Sequence, residues 1–300
     1  MKRVLKRNRV LLCMLIPALL YVIIFCYIPM SGIVLAFKDF KYSLGIAKSP
    51  WCGWDNFQYL MVTGKLWSLT RNTLLYNIAF IFLGLIFEVG FAILLSEINN
   101  RVFQKVAQGF MFLPYFISWV VVSTIMLNIF GTNGVLNSIL GHFGITDFSI
   151  YKQVSEWPIV LICVRLWKQT GYGTVVYLAA IAGISKDLYE AASIDGASVW
   201  QKIRYITLPS LKPTIMIMVL LALGNVFRGD FGMFYQLVGS NQMLLASSDI
   251  LDTFIYRMLT TSPNVGQTAA AGLYQSVLCF VTIICANWIV KKINPDYTLF

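Results

Sequence analysis

The chain has 300 residues, 58% of them hydrophobic and 12% charged, with a mean hydropathy of +0.72. Soluble domains carry about 25% charged residues, so a water-facing globule of this size is excluded and lipid is the main solvent. The net charge of +10 would suggest nucleic acid in a soluble protein, but the basic residues here flank apolar runs, so membrane topology accounts for them and no nucleic-acid partner is expected.

Six apolar runs, each near or above the ~20 residues that a spanning helix needs, cover residues 10–37, 72–98, 107–130, 158–184, 213–237 and 268–290. The first follows Lys2, Arg3, Lys6, Arg7 and Arg9, as a signal peptide would. Its apolar stretch is too long, and no small-residue cleavage site ends it, so a retained anchor is expected. With the N-terminus inside, inner segments hold thirteen Lys and Arg (Lys2, Arg3, Lys6, Arg7, Arg9, Arg101, Lys105, Lys186, Lys202, Arg204, Lys212, Lys291, Lys292). Outer segments hold seven (Lys38, Lys41, Lys48, Lys65, Arg71, Lys152, Arg257). Both termini are therefore expected in the cytoplasm. The resulting map is a cytoplasmic basic tail over 1–9, a first transmembrane helix over 10–37, an extracytoplasmic loop over 38–71, a transmembrane core over 72–290 and a cytoplasmic tail over 291–300.

Trp51, Trp54, Phe57, Tyr59, Trp67, Tyr151 and Trp157 fall in outer loops, where aromatic rings favour the headgroup level; contact with a carbohydrate or partner is the alternative. The outer segments 131–157 and 236–267 are long enough to form small caps. Five of the six cysteines (Cys13, Cys26, Cys163, Cys279, Cys285) lie in apolar runs, Cys52 does not, and none forms a CxxC pair. They are expected to pack as small buried hydrophobes. With His142 the sole histidine, no metal site is expected.

Between the fourth and fifth runs lies a polar island, residues 189–211, YEAASIDGASVWQKIRYITLPSL. Leu188, Ala191, Ala192 and Asp195 share one helical face. Gly196 can take a positive φ and end that helix. Ser198 and Gln201 form an S-x-x-Q capping box, after which Val199, Trp200, Ile203 and Ile206 repeat at helical spacing. Pro209 and Pro213 are expected to stop this second helix and start the next span. Two short amphipathic helices joined at a glycine result. Lying in the membrane interface, packing on neighbouring loops and docking a cytoplasmic partner all fit the pattern.

The spacing E-A-A-x3-G-x9-I-x-L-P, met by Glu190, Ala191, Ala192, Gly196, Ile206, Leu208 and Pro209, resembles the EAA loop of ATP-binding-cassette importer permeases. Gly53-Trp54-Asp55-Asn56-Phe57, Pro114, Gly134, Asn137, Trp167 and Gly171 resemble further family positions, so the likeness covers most of the chain. The N-terminus is shorter than in larger relatives of the maltose permease kind. The nearest resemblance is to sugar permeases serving oligosaccharides, often with uronic acids. It implies an all-α membrane protein of the type I importer fold, with six transmembrane helices and a cytoplasmic coupling loop over 185–211. It also implies a second homologous permease (a heterodimer), two ATPase subunits that bind ATP and Mg, an extracytoplasmic solute-binding protein, a sugar substrate and a bacterial inner-membrane location. The seven EAA residues would couple to the ATPase. No G-x-x-x-x-G-K-[ST] is present, so neither a nucleotide cofactor nor a catalytic residue is assigned to this chain.

Charged groups inside spans cost about 2.5–3.5 kcal/mol each on the insertion scale. Arg165, Lys168 and Gln169 in the fourth run, and Asn225 and Arg228 in the fifth, are thus candidates for the substrate path. Arg165 and Lys168, three apart, are expected to point the same way. Pairing with Glu88 is the structural alternative, and Asp230 has no evident mate. A stand-alone secondary carrier, with half-helices and midplane ion sites, has no use for the island. An intramembrane enzyme would need a catalytic set that the spans lack.

Overall fold

The computed structural model describes residues 9–144, 149–239, 241–261 and 264–293. The basic tail expected over 1–9 lies outside these residues, apart from the backbone of Arg9, as do residues 294–300 of the expected C-terminal tail. Nearly all of the described chain is helical; its one β feature is an antiparallel bridge between Lys38 and Trp51. Two compact units divide it: residues 1–66 with 255–276, and residues 67–254 with 277–300.

In the first unit, α1 (Val10–Phe37) buries none of its most apolar stretch within the chain, as suits a helix solvated by lipid. A π turn at Ile23–Tyr27 precedes Pro29, and the helix tightens to 3₁₀ geometry over Ser31–Phe37. Asn56, on α2 (Asp55–Val62), closes this end by donating from its side-chain amide to the carbonyls of Ala36 (3.0 Å) and Lys38 (3.1 Å). Gly53, at φ +61°, makes the turn into α2. The Gly53–Phe57 stretch thus fixes how the chain leaves the first helix. Phe57 is buried there, so it is not one of the interface rings, whereas Trp51, Trp54 and Tyr59 are exposed.

The second unit begins in α3 (Lys65–Ser96). It continues through α4 (Arg101–Phe112), α5 (Trp119–Phe130), α6 (Val135–His142), α7 (Trp157–Ala182), α8 (Lys186–Ile194) and α9 (Val199–Leu223). Then follow α10 (Phe231–Val238), α11 (Gln242–Ser248), α12 (Leu251–Thr261, whose end belongs to the first unit) and α13 (Val265–Ile293), which returns to the second. Among the described residues, five helical segments are long and apolar enough to cross a membrane: Val10–Phe37, Lys65–Ser96, Trp119–His142, Val199–Leu223 and Val265–Lys292. The fourth expected run forms α7, whose 26 residues span about 39 Å at 1.5 Å per residue. Arg165, Lys168 and the polar residues after them keep it less apolar than those five.

Two expected runs are broken. The third, 107–130, is interrupted by a 3₁₀ turn at Leu113–Phe116 containing Pro114, and α5 restarts behind the Ser118 cap. The fifth, 213–237, ends at Leu223; Asp230 then caps α10 by accepting from Met233 N (3.1 Å). The prolines expected to separate the island from the next span do not do so. Helix α9 runs continuously from Val199 to Leu223, because a π turn at Ile203–Thr207 widens the ladder just ahead of Pro209.

One core cluster in this unit joins α3, α5, α7, α10 and α11 through Tyr76, Phe80, Met126, Trp157, Phe234 and Leu244. A second joins α3, α7 and α9 through Val89, Ala92, Tyr177, Ile181 and Leu211. Trp157 is fully buried in the first and is therefore core, not an interface anchor. Where α7 meets α4, a Cβ on Gly171 would run into the main chain of Met111 and Phe112, so only glycine permits that approach. Cys13, Cys26, Cys163 and Cys285 are exposed on the surface of the chain rather than buried; in lipid, apolar surface gains nothing by hiding.

Candidate functional site: a charged cleft and a polar helix pair

Between the two core clusters, α3, α7, α9 and the turn 224–230 enclose a cleft of about 470 Å³. On α3 its wall runs from Asn77 to Glu88, and on α7 from Arg165 to Tyr177, about 16–18 Å along each helix. Gln169, Asn225, Arg228 and Asp230 also face it, with Phe80, Gly84 and Met218 among the apolar and small residues. Four of the five candidate path residues, Arg165, Gln169, Asn225 and Arg228, therefore share one cavity.

Arg165 and Lys168 do not point the same way. The Arg165 guanidinium lies over the Phe80 ring, 4.8 Å from its centroid, and donates from Nη1 to Asp230 Oδ2 at 2.7 Å. The Lys168 ammonium turns out of the cleft and donates to the carbonyls of Tyr115 (2.7 Å) and Pro114 (3.3 Å), with the Tyr115 and Trp119 rings 5.6 and 5.2 Å away. Both carbonyls belong to the break at Leu113–Phe116, where the Pro114 oxygen also accepts from Ile117 N at 3.2 Å. Lys168 thus seals a helix break, with its ammonium turned away from the Arg165 guanidinium. Asp230 is Arg165's mate, and Trp119 Nε1 also donates to its Oδ2 at 3.2 Å. Glu88 forms no ion pair within 4 Å among the described residues; its carboxylate fills the space that a side chain on residue 173 would take. Asp230, Trp119, Asn77 and Tyr177 were not assigned to the site from sequence. Asp230 alone gave a signal, as an acid inside an apolar run.

The helix pair α8 and the start of α9 is held by local bonds. Ser185 caps α8, accepting from Asp187 N at 3.3 Å. At its other end Gly196 sits at φ +76°. Ala197 N bonds Ala192 O (2.8 Å) and Gly196 N bonds Ser193 O (3.1 Å), the Schellman pattern that needs a left-handed residue. Ser198 and Gln201 complete both bonds of the capping box. Tyr189 Oη meets Thr207 Oγ1 at 2.9 Å and Lys202 Nζ donates to Ser193 Oγ at 2.7 Å, tying α8 to α9. Glu190, Ala191, Gly196, Leu208 and Pro209 are exposed, Ala192 and Ile206 half-buried. Ile194 (87% exposed), Trp200 and Tyr205 present a broad apolar surface beside them.

Residues 88–295 match the model of the family described as "Binding-protein-dependent transport system inner membrane component". The chain belongs to this family. It is 33% identical to Protein LplB of Bacillus subtilis (strain 168) over 293 residues, covering 97% of this chain and 92% of that protein. To the polygalacturonan/rhamnogalacturonan transport system permease protein YteP of the same organism it is 31% identical over 298 residues, covering 97% and 90%. Its fold matches a chain of a bacterial ABC transporter involved in the import of the acidic polysaccharide alginate, with a TM-score of 0.88, 30% identity and coverage of 97% of this chain and 98% of that one. This is a multi-pass membrane permease subunit of an ABC importer with the type I fold, and a stand-alone carrier is the lesser reading.

Proposed function

We propose that this chain supplies half of the translocation path for an oligosaccharide carrying uronic acids, and that Arg165 is the residue in the cleft that meets the sugar's carboxylates. The observation that carries the reading is a guanidinium held on an aromatic face inside a cleft that also presents Asn77, Gln169, Tyr177 and Asn225, groups suited to sugar hydroxyls. The similarity to permeases named for polygalacturonan and alginate supports it. Gln169, Asn225 and Arg228 complete the path; Lys168 serves it from outside by holding the helix break.

In the assembled importer a second homologous permease closes the other side of the path, and a solute-binding protein delivers sugar from outside. Two ATPase subunits, which bind ATP and Mg, dock on Glu190, Ala191, Ala192, Gly196, Ile206, Leu208 and Pro209. Helix α7 also crosses the membrane, fourth in chain order, which brings the spans to six, with its charged residues facing protein. Both termini and the helix pair lie in the cytoplasm of a bacterium, as the lysine and arginine distribution favours.

Uptake into vesicles containing the assembled transporter and its binding protein tests this reading. A galacturonic-acid oligosaccharide is expected to accumulate only with ATP inside, and Arg165→Gln to slow it more than a carboxyl-reduced sugar of equal length. Equal slowing of the two sugars would contradict the path assignment.

A further inference from the structure

Asp230 meets Arg165 in a cleft that the foregoing reading gives to an anionic sugar, which is a costly place for a carboxylate unless it has a use. Its Oδ2 accepts from Arg165 Nη1 (2.7 Å) and from Trp119 Nε1 (3.2 Å), while its Oδ1 accepts from Met233 N (3.1 Å). The carboxylate is therefore fixed from three elements: α7, α5 and α10. Arg165 spends one of its five N–H groups on it, and the rest of the fork has no other hydrogen-bond partner among the described residues. Both side chains remain partly open, at 26% and 20% relative exposure. Along the whole cleft two carboxylates, Asp230 and Glu88, balance two guanidiniums, Arg165 and Arg228.

We infer that Asp230 is a built-in counter-anion that lowers the grip of Arg165 on the sugar's carboxylate, so that an acidic oligosaccharide is recognised at the cleft and still released. An unpaired guanidinium in a partly dry cavity binds a carboxylate strongly, by two parallel bonds. A path must bind well enough to admit its cargo and weakly enough to let it go. With Asp230 fixed on Nη1, the sugar meets the free edge of a cation whose charge is already half answered. This inference rests on the acidic-sugar reading above and adds that the release step is set by a carboxylate of the protein itself.

Asp230→Asn tests it. Asparagine keeps one oxygen, for the Met233 N–H that caps α10, and turns its NH2 toward Trp119 and Arg165, so the cap is retained while the charge and the two bonds to Oδ2 are lost. Retention of tetragalacturonate and of its carboxyl-reduced counterpart is measured by native mass spectrometry on the purified, fully assembled transporter. Uptake of each into vesicles is measured with saturating binding protein. The ratio of acidic to neutral sugar retained is expected to rise about tenfold in the variant, with the uptake rate of the acidic sugar falling by a similar factor. A purely structural role for Asp230 predicts that retention and uptake of both sugars change together, and that result overturns the inference. If the unmodified transporter carries the acidic sugar and the variant leaves the ratio where it was, the inference alone fails. If the unmodified transporter does not carry the acidic sugar at all, the substrate reading fails and the inference goes with it.

Discussion

The helix pair proposed to lie on the inner side and the charged cleft belong to the same compact unit and are built in opposite ways. The pair is held by bonds between close neighbours: Ser198 with Gln201, Gly196 with Ser193, and at most Tyr189 with Thr207, 18 residues apart. The cleft is held by Arg165 with Asp230, 65 residues apart, by Trp119 with Asp230, 111 apart, and by Lys168 with the carbonyls of residues 114 and 115, more than fifty residues away. The surface proposed to dock the ATPase is made as a self-capped local motif, exposed on the chain. A path through the membrane is made from charges that must find one another across helices, because each would be costly alone.

The sharpest way to break the cleft side is to deny α7 its position. Gly171→Val drives a branched side chain into the main chain of Met111, where no side chain can swing aside. A destabilisation of about 3 kcal/mol or more is expected, read as loss of folded protein in detergent by size exclusion; normal yield and melting temperature would contradict the close approach. Next in size is Arg165→Met, which leaves Asp230 without its cation. The cost is expected near 3 kcal/mol, the low end for a broken buried pair because the site opens on the cleft. Asp230→Asn in the same chain should recover most of it, and additive losses in thermal melts would show that the pair is not coupled.

The inner pair should behave differently, losing function with little loss of fold. Glu190 is exposed and caps nothing, since Ser185 caps α8. Glu190→Lys is therefore expected to change stability by less than about 0.5 kcal/mol while abolishing sugar-stimulated ATP hydrolysis. Glu190→Gln separates charge from shape: hydrolysis at the original rate would remove any ion pair with the ATPase. Gly196→Ala should fall between, costing about 1 kcal/mol through the positive φ, as no atom lies near its Cβ position.

The same contrast decides what could be read from the sequence. The Gly196 turn and the capping box were legible because their partners lie within a few residues and their chemistry is fixed by residue type. The apolar runs were legible as composition, but not where they break, since the third and fifth are cut by Pro114, Ser118 and the Asp230 cap. The prolines at 209 and 213 misled because a π turn absorbs the first of them without ending the helix. Arg165 and Lys168 are recognisable as costly charges, yet helical spacing could not show that one turns to Asp230 and the other to the carbonyls of Pro114 and Tyr115. That depends on which neighbours α4, α5 and α10 bring, and no local pattern encodes it.

The measurement that bears most directly on the central claim is the structure of the assembled transporter, solved by electron cryomicroscopy with tetragalacturonate trapped in mid-passage. The sugar is expected between α3, α7 and α9, with one carboxylate within about 3 Å of the Arg165 guanidinium and Asp230 still on Nη1. A sugar bound elsewhere, with Arg165 touching only protein, would contradict the account.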